Sequence, residues 1–136
     1  MGCVFCKIVR GELPAHKIYE DSETLAFLDI YPMTDGHTLV IPKLHAERLA
    51  DLPPELAGKL FQTVQKVTAR LTQALGAPAF NVGFNDGRAA GQAVPHLHFH
   101  IIPRFPGDGG GSLHSIIHKP NTRPLEEIHR LIAGSW

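Results

Sequence analysis

Apolar and polar positions along the chain follow two rhythms. Leu56, Leu60, Val64, Val67, Leu71 and Leu75 recur at intervals of 4, 4, 3, 4 and 4, which places them on one face of an α-helix. Pro53-Pro54 suits its first turn, where proline's missing N–H is not needed, and Gly76 suits a left-handed cap at its end. The spacing predicts a helix over 53–75. Elsewhere the rhythm is that of strands. Ile18-Tyr19 and Leu25-Ala26-Phe27-Leu28 flank a polar turn at Asp21-Ser22, the pattern of a β-hairpin. Thr38 to Ile41 is a β-branched run between Gly36 and Pro42, punctuated as a buried strand. Phe80 to Phe84 and Val94 to Ile102 alternate on either side of the loop 85–91, which predicts a long-looped hairpin. Residues 105–112, FPGDGGGS, read as a flexible glycine-rich loop, and Leu125, Ile128 and Leu131 give 123–133 a weak helical pattern. The expectation is an α+β fold, an antiparallel sheet of about five strands with one long helix and a short C-terminal one.

The chain has 136 residues, 43% of them hydrophobic, enough for one core and not for two. A single domain over 1–136 is expected, with its core in 3–104, the glycine-rich loop in 105–112 and a C-terminal segment in 113–136. Thirteen Lys and Arg balance thirteen Asp and Glu. No overall field gathers nucleic acid or anionic lipid, so an anion must be caught locally. The first residues, MGCVFCKIVRGELP, carry no long apolar leader, and no apolar run approaches the roughly 18 residues of a membrane span. Met1-Gly2 lacks the Ser or Thr that myristoylation wants, Cys6 standing there instead. A soluble cytoplasmic protein without membrane attachment is expected, and two cysteines in that setting point to a metal or redox role.

The chemistry concentrates in His96-Leu97-His98-Phe99-His100-Ile101-Ile102. In a strand, period two puts the three imidazoles on one face, about 6.6 Å apart, and Leu97, Phe99 and Ile101 on the core face. A core needs no such patch. A metal site and nucleophilic catalysis by a neutral imidazole both fit. No Asp or Glu lies between Gly87 and Phe105 to serve a hydrolytic zinc centre, while Asn85-Asp86-Gly87 and Gly91-Gln92 form a turn whose amides and side chains suit a phosphate. An imidazole attacking phosphorus must have its other N–H held, commonly by a backbone carbonyl.

HLHFHII, the upstream GHTLVIPKLH and the N-terminal CVFCKIVRGELPA together resemble the histidine triad superfamily, and most closely its bacterial branch related to histidine triad nucleotide-binding proteins. The resemblance runs from Cys3 to about Arg104. It implies a homodimer joined through helix and sheet edge, and a purine nucleotide ligand. It implies that His98 is the nucleophile that forms a nucleotidyl intermediate resolved by water, that His100 contacts phosphate, and that His37 lies beside them. By the same resemblance Asn85, Gly91 and Gln92 hold the α-phosphate, Asp29 binds the ribose hydroxyls, and Ile8, Leu13, Phe27 and Ile30 clamp the base. Amides from Gly91 through Val94 would face the phosphate charge. Ala93 stands where eukaryotic members carry a serine, so that serine's phosphate bond is not expected here.

Cys3 and Cys6 alone can supply two ligands to a tetrahedral metal, which needs two more. The resemblance implies that His45 and His96 complete a structural zinc site, leaving the chemical step without a metal. Free thiols or a redox pair are the alternative. His114 and His118 read as surface residues. The activity expected is hydrolysis or transfer at the α-phosphate of nucleoside phosphoramidates or related 5′-phosphate derivatives. The alternatives are a dinucleoside polyphosphate hydrolase, a nucleotide-sensing module with little turnover, and a metallohydrolase.

Overall fold

The computed structural model describes residues 2–136. The hairpin around Asp21 forms as β1 (Lys17–Glu20) and β2 (Thr24–Leu28), and β3 (Thr38–Pro42) lies antiparallel beside β2. Asp21 fixes the turn by accepting the N–H groups of Glu23 and Thr24 on one carboxylate oxygen. The long helix follows as α2 (Pro54–Leu75), ending at Gly76 with φ 68°, in the left-handed conformation. β4 (Ala79–Gly83) then occupies the sheet edge, and β5 (Phe99–Arg104) returns between β4 and β3. The order across the five-stranded sheet is β1-β2-β3-β5-β4, with every pairing antiparallel.

Leu60, Val64, Val67 and Leu71 of α2 pack on Ala26, Val40, Leu97, Phe99 and Ile101. Each such side chain contributes about 1.5–3 kcal/mol on burial, so packing, more than helix propensity, holds α2 to the sheet. Before β3 the chain passes so close to the end of α2 that a Cβ on Gly36, with φ 88°, would lie 2.6 Å from Leu75 Cδ1.

The opposite face is covered at one end by a helix the pattern did not announce, α1 (Val4–Val9). Its Phe5 and Ile8 pack on Leu25, Phe27, Leu39 and Ile41. Six residues rich in branched side chains carry little helical signal. The cap is Cys3, whose sulfur accepts the Cys6 N–H, rather than the usual Ser, Thr, Asp or Asn.

Two further expectations are corrected. The strand expected over 94–102 joins the sheet only at Phe99 and continues through Pro103 to Arg104. Pro95 interrupts its start, and residues 96–97 bond locally instead, His96 N–H to Val94 and Leu97 N–H to Ala46. Pro103 is tolerated because β3 pairs only with Phe99–Ile101, leaving the strand beyond it paired on one side. The loop 105–112, expected to be flexible, is tied down. Asp108 accepts from Arg104 and from the N–H groups of Phe105 and Gly110. The C-terminal helix forms as α3 (Leu125–Ala133) with no buried residue.

Candidate functional site

On the α1 side of the sheet a cavity of about 610 Å³ opens between α1, β2 and the 85–94 loop. Ile8 and Phe27 form apolar walls, with Leu13 and Ile30 at the rim. Asp29, just past β2, borders the cavity, as do Asn85, Gly91, Ala93 and Val94. His98 and His100 line it from the strand side. The residues expected around a nucleotide therefore converge, apart from Gln92 and His37, which lie outside this lining. Phe5, which sequence reasoning missed, supplies a central wall: its ring stands edge-on to His98 at 5.1 Å and to Phe27 at 5.5 Å. Its only signal is its position between two cysteines.

Leu97, Phe99 and Ile101 are buried against α2, which fixes the alternation and turns His98 toward the cavity. His98 Nδ1 lies 2.8 Å from the His96 carbonyl oxygen. The proton must sit on Nδ1 to make that bond, which leaves the Nε2 lone pair free. A second chain of bonds sets His100. Met33 N–H donates to His37 Nδ1, so His37 carries its proton on Nε2 and donates it to His100 Nδ1 at 2.9 Å. His100 then presents Nε2–H as a donor. Burial pushes the His37 pKa down against the pull of Asp29, whose Oδ2 is 3.5 Å from Nε2. Burial, with help from His98 and His37, pushes His100 down to about 4. Both rings are neutral donors and acceptors near pH 7.

The loop carrying Asn85 and Gly91 is held from below. Asp86 accepts from Leu49 N–H and Arg48 Nε, and Gly87 lies against the Arg48 guanidinium with φ 103°. The buried Gln92 amide is spent internally, accepting from Gly87 N–H and donating to the carbonyls of Glu47 and Val94. The N–H groups of Gly91 and Gln92 are also used, on Arg88 and Gly87. Of the four amides expected to face a phosphate, those of Ala93 and Val94 have no protein acceptor among the described residues. Gln92 shapes the loop rather than offering its side chain to a ligand.

The histidine trio does not form the single patch that spacing alone suggests; His96 sits with the three residues that the resemblance grouped with it. His96 is fully buried and belongs to another cluster, in which the donor atoms of Cys3, Cys6, His45 and His96 all lie within 4.8 Å of one another. His96 Nδ1 is 3.3 Å from Cys3 Sγ, 3.5 Å from Cys6 Sγ and 3.2 Å from His45 Nδ1. Cys6 Sγ is 3.3 Å from His45 Nδ1. A tetrahedral zinc with bonds of about 2.0–2.3 Å holds its ligands about 3.3–3.8 Å apart, so the set fits such an ion. The donor chemistry fits too. His96 Nε2 donates to the Pro42 carbonyl at 2.8 Å, which leaves Nδ1 unprotonated and its ring oriented as a ligand. Burial and the neighbouring Cys3 push the Cys6 thiol up, a cost that a bound cation reverses. His114 and His118 are exposed and outside both clusters.

The family profile of the HIT domain matches residues 10–107. A HIT family protein of known structure from Bacillus subtilis is 40% identical, with a TM-score of 0.87 over 100% of this chain and 98% of that one. A zinc-bound histidine triad family protein from Mycobacterium smegmatis is 41% identical, with a TM-score of 0.76 over 98% of this chain and 92% of that one. The adenosine 5′-monophosphoramidase hnt1 of Schizosaccharomyces pombe is 48% identical over 104 residues, 76% of this chain and 75% of that protein. With its histidine trio, its sheet and the span of the match in agreement, the chain belongs to the HIT family.

Proposed function

We propose that this protein hydrolyses nucleoside 5′-phosphoramidates or related derivatives at the α-phosphorus, with His98 as nucleophile. The observation that carries the reading is the His98 Nδ1 bond to the His96 carbonyl in a ring that lines the 610 Å³ cavity. With the Nδ1 proton held there, the Nε2 lone pair is the one that attacks, without a separate base. His100 donates from Nε2 to a phosphate oxygen, and the Ala93 and Val94 amides bind the charge that grows on phosphorus substitution. The apolar walls at Phe5, Ile8, Leu13, Phe27 and Ile30 take a purine, and Asp29 takes the ribose hydroxyls. Water then resolves the nucleotidyl-histidine. The likeness to a yeast adenosine 5′-monophosphoramidase supports this substrate class.

Zinc on Cys3, Cys6, His45 and His96 has a structural role in this reading. It would staple α1 to the segment before β5, and its ligands leave no open position for chemistry. Two thiols kept reduced for a metal suit the cytoplasm. No helix among the described residues is long and apolar enough to cross a membrane. Two features support a homodimer: β4 is a sheet edge, and Phe61 on α2 is 55% exposed beside Phe99.

Release of AMP from an adenosine phosphoramidate tests the activity. His98→Ala, with its circular dichroism unchanged, is expected to lose a factor of about 10³ or more in kcat/KM. Retention of the rate would overturn the assignment of the nucleophile. An enzyme preferring diadenosine tetraphosphate would belong to the dinucleoside polyphosphate hydrolases instead.

A further inference from the structure

A second cavity, of about 450 Å³, adjoins the first. The two share Asn85 and His100 as walls. His98, just before β5, and His100 and Ile102 within it follow one another at alternate positions; His98 borders only the first cavity, Ile102 only the second, and His100 both. Leu113 and Ile116, from the segment after the glycine-rich loop, form its outer wall. That wall is anchored. Arg104 binds Asp108, Asn81 and the Gly111 carbonyl, which fixes the loop two residues before Leu113 and spends the Arg104 charge on protein partners. Among the described residues no Lys, Arg, Asp or Glu lines the cavity. Its two histidines, His37 and His100, are both held neutral by burial.

Displacement at phosphorus proceeds with the attacking and leaving atoms roughly in line. A nucleoside seated in the first cavity, with His98 Nε2 facing its phosphorus and His100 beside it on a phosphate oxygen, sends the departing group away from His98, toward Ile102. From this arrangement we infer that the second cavity receives the leaving group and selects an apolar, uncharged amine over one bearing carboxylate or phosphate. The inference rests on the nucleotidyl-histidine reading above. An alkyl chain there would touch Met33, Ile102, Leu113 and Ile116. An anion there would give up part of its hydration to an apolar wall with no cation lining it to pair.

The step balances without a further reactant. The His98 Nε2 lone pair forms the N–P bond as the P–N bond of the phosphoramidate breaks. The bonding pair stays on the departing amine nitrogen, which takes a proton from solvent. Water then attacks phosphorus, the P–Nε2 bond breaks, and a proton returns to solvent with the nucleoside monophosphate and the neutral imidazole.

Two adenosine phosphoramidates test this, one of hexylamine and one of 6-aminohexanoate. Their amines have nearly equal basicity and differ in a terminal carboxylate. The hexylamine derivative is expected to show a kcat/KM about tenfold or more higher. Ile116→Lys, confirmed as folded by its melting temperature, is expected to shrink that ratio at least threefold by offering the carboxylate a partner. A ratio near one in the wild type, or one unchanged in Ile116→Lys, overturns the leaving-group site. In either case AMP release from the unsubstituted phosphoramidate that is lost in His98→Ala would leave the nucleotidyl-histidine reading standing. No AMP from any of the three compounds would overturn both.

Discussion

An imidazole offers a nucleophilic nitrogen only while its other nitrogen keeps the proton, and at His98 a carbonyl 2.8 Å from Nδ1 sets that state. The carbonyl belongs to His96, whose ring sits among the candidate metal ligands. One residue thus touches both clusters, its ring in one and its backbone in the other. His100 depends on burial in the same way. The folded protein holds it neutral down to about pH 4, against an ordinary histidine value of 6.5. Between those values the unfolded chain binds more protons, so stability falls as the pH drops through that window. His37 is shifted in the same direction. The melting temperature is therefore expected to fall from pH 7 to pH 5, and to fall less steeply in His100→Asn. An identical pH dependence in the variant would contradict a buried neutral His100. At this scale the sequence was most legible where chemistry follows spacing. Alternation at 96–100 marked the histidines, but which nitrogen of each carries a proton depends on Pro42, Met33 and the His96 carbonyl. Those partners are distant in sequence or belong to the backbone, and no spacing rule reports them.

The elements with long periodic signals were readable. The interval of three and four residues gave α2 to within a residue, and the β1–β2 turn fell at Asp21-Ser22 as expected. The short α1 was not readable, because six residues held by tertiary contacts have no period to show. Its stability is borrowed from Phe5, Ile8 and the Cys2His2 cluster. Phe5→Ala removes a buried ring and is expected to cost about 3–5 kcal/mol, measured by denaturant unfolding, with weaker nucleotide binding because the cavity loses a wall. A cost below 1 kcal/mol would mean that α1 is not packed as described. If zinc occupies the cluster, chelation is expected to lower the melting temperature and to speed amide exchange in 3–10 before any other segment. Unaltered exchange there would argue for free thiols.

At the scale of the whole molecule the two faces of the sheet divide the work: α2 seals one, and the other carries the histidines, both cavities and α1. The fold class and strand number were legible because a polar turn at Asp21-Ser22 separates the first two strands and Gly or Pro punctuates the other three. The ordering of 105–112 was not, because Arg104 and Asp108 pair just before a glycine run that composition alone marks as loose. The edge strand β4 and the exposed Phe61 lead to one expectation of assembly. Light scattering is expected to give twice the chain mass of 14.9 kDa, and Phe61→Asp is expected to reduce it toward that of one chain. A monomeric wild type would refute the shared edge.

Covalent attack by His98 is the claim on which the rest depends, and intact-protein mass spectrometry after rapid acid quench reads it directly. On mixing with an adenosine phosphoramidate, the wild type is expected to gain the mass of one adenylyl group, with the modification mapping to His98, and His98→Ala to gain none. An adduct of equal yield on His98→Ala, or one mapping to another side chain in the wild type, would contradict the account.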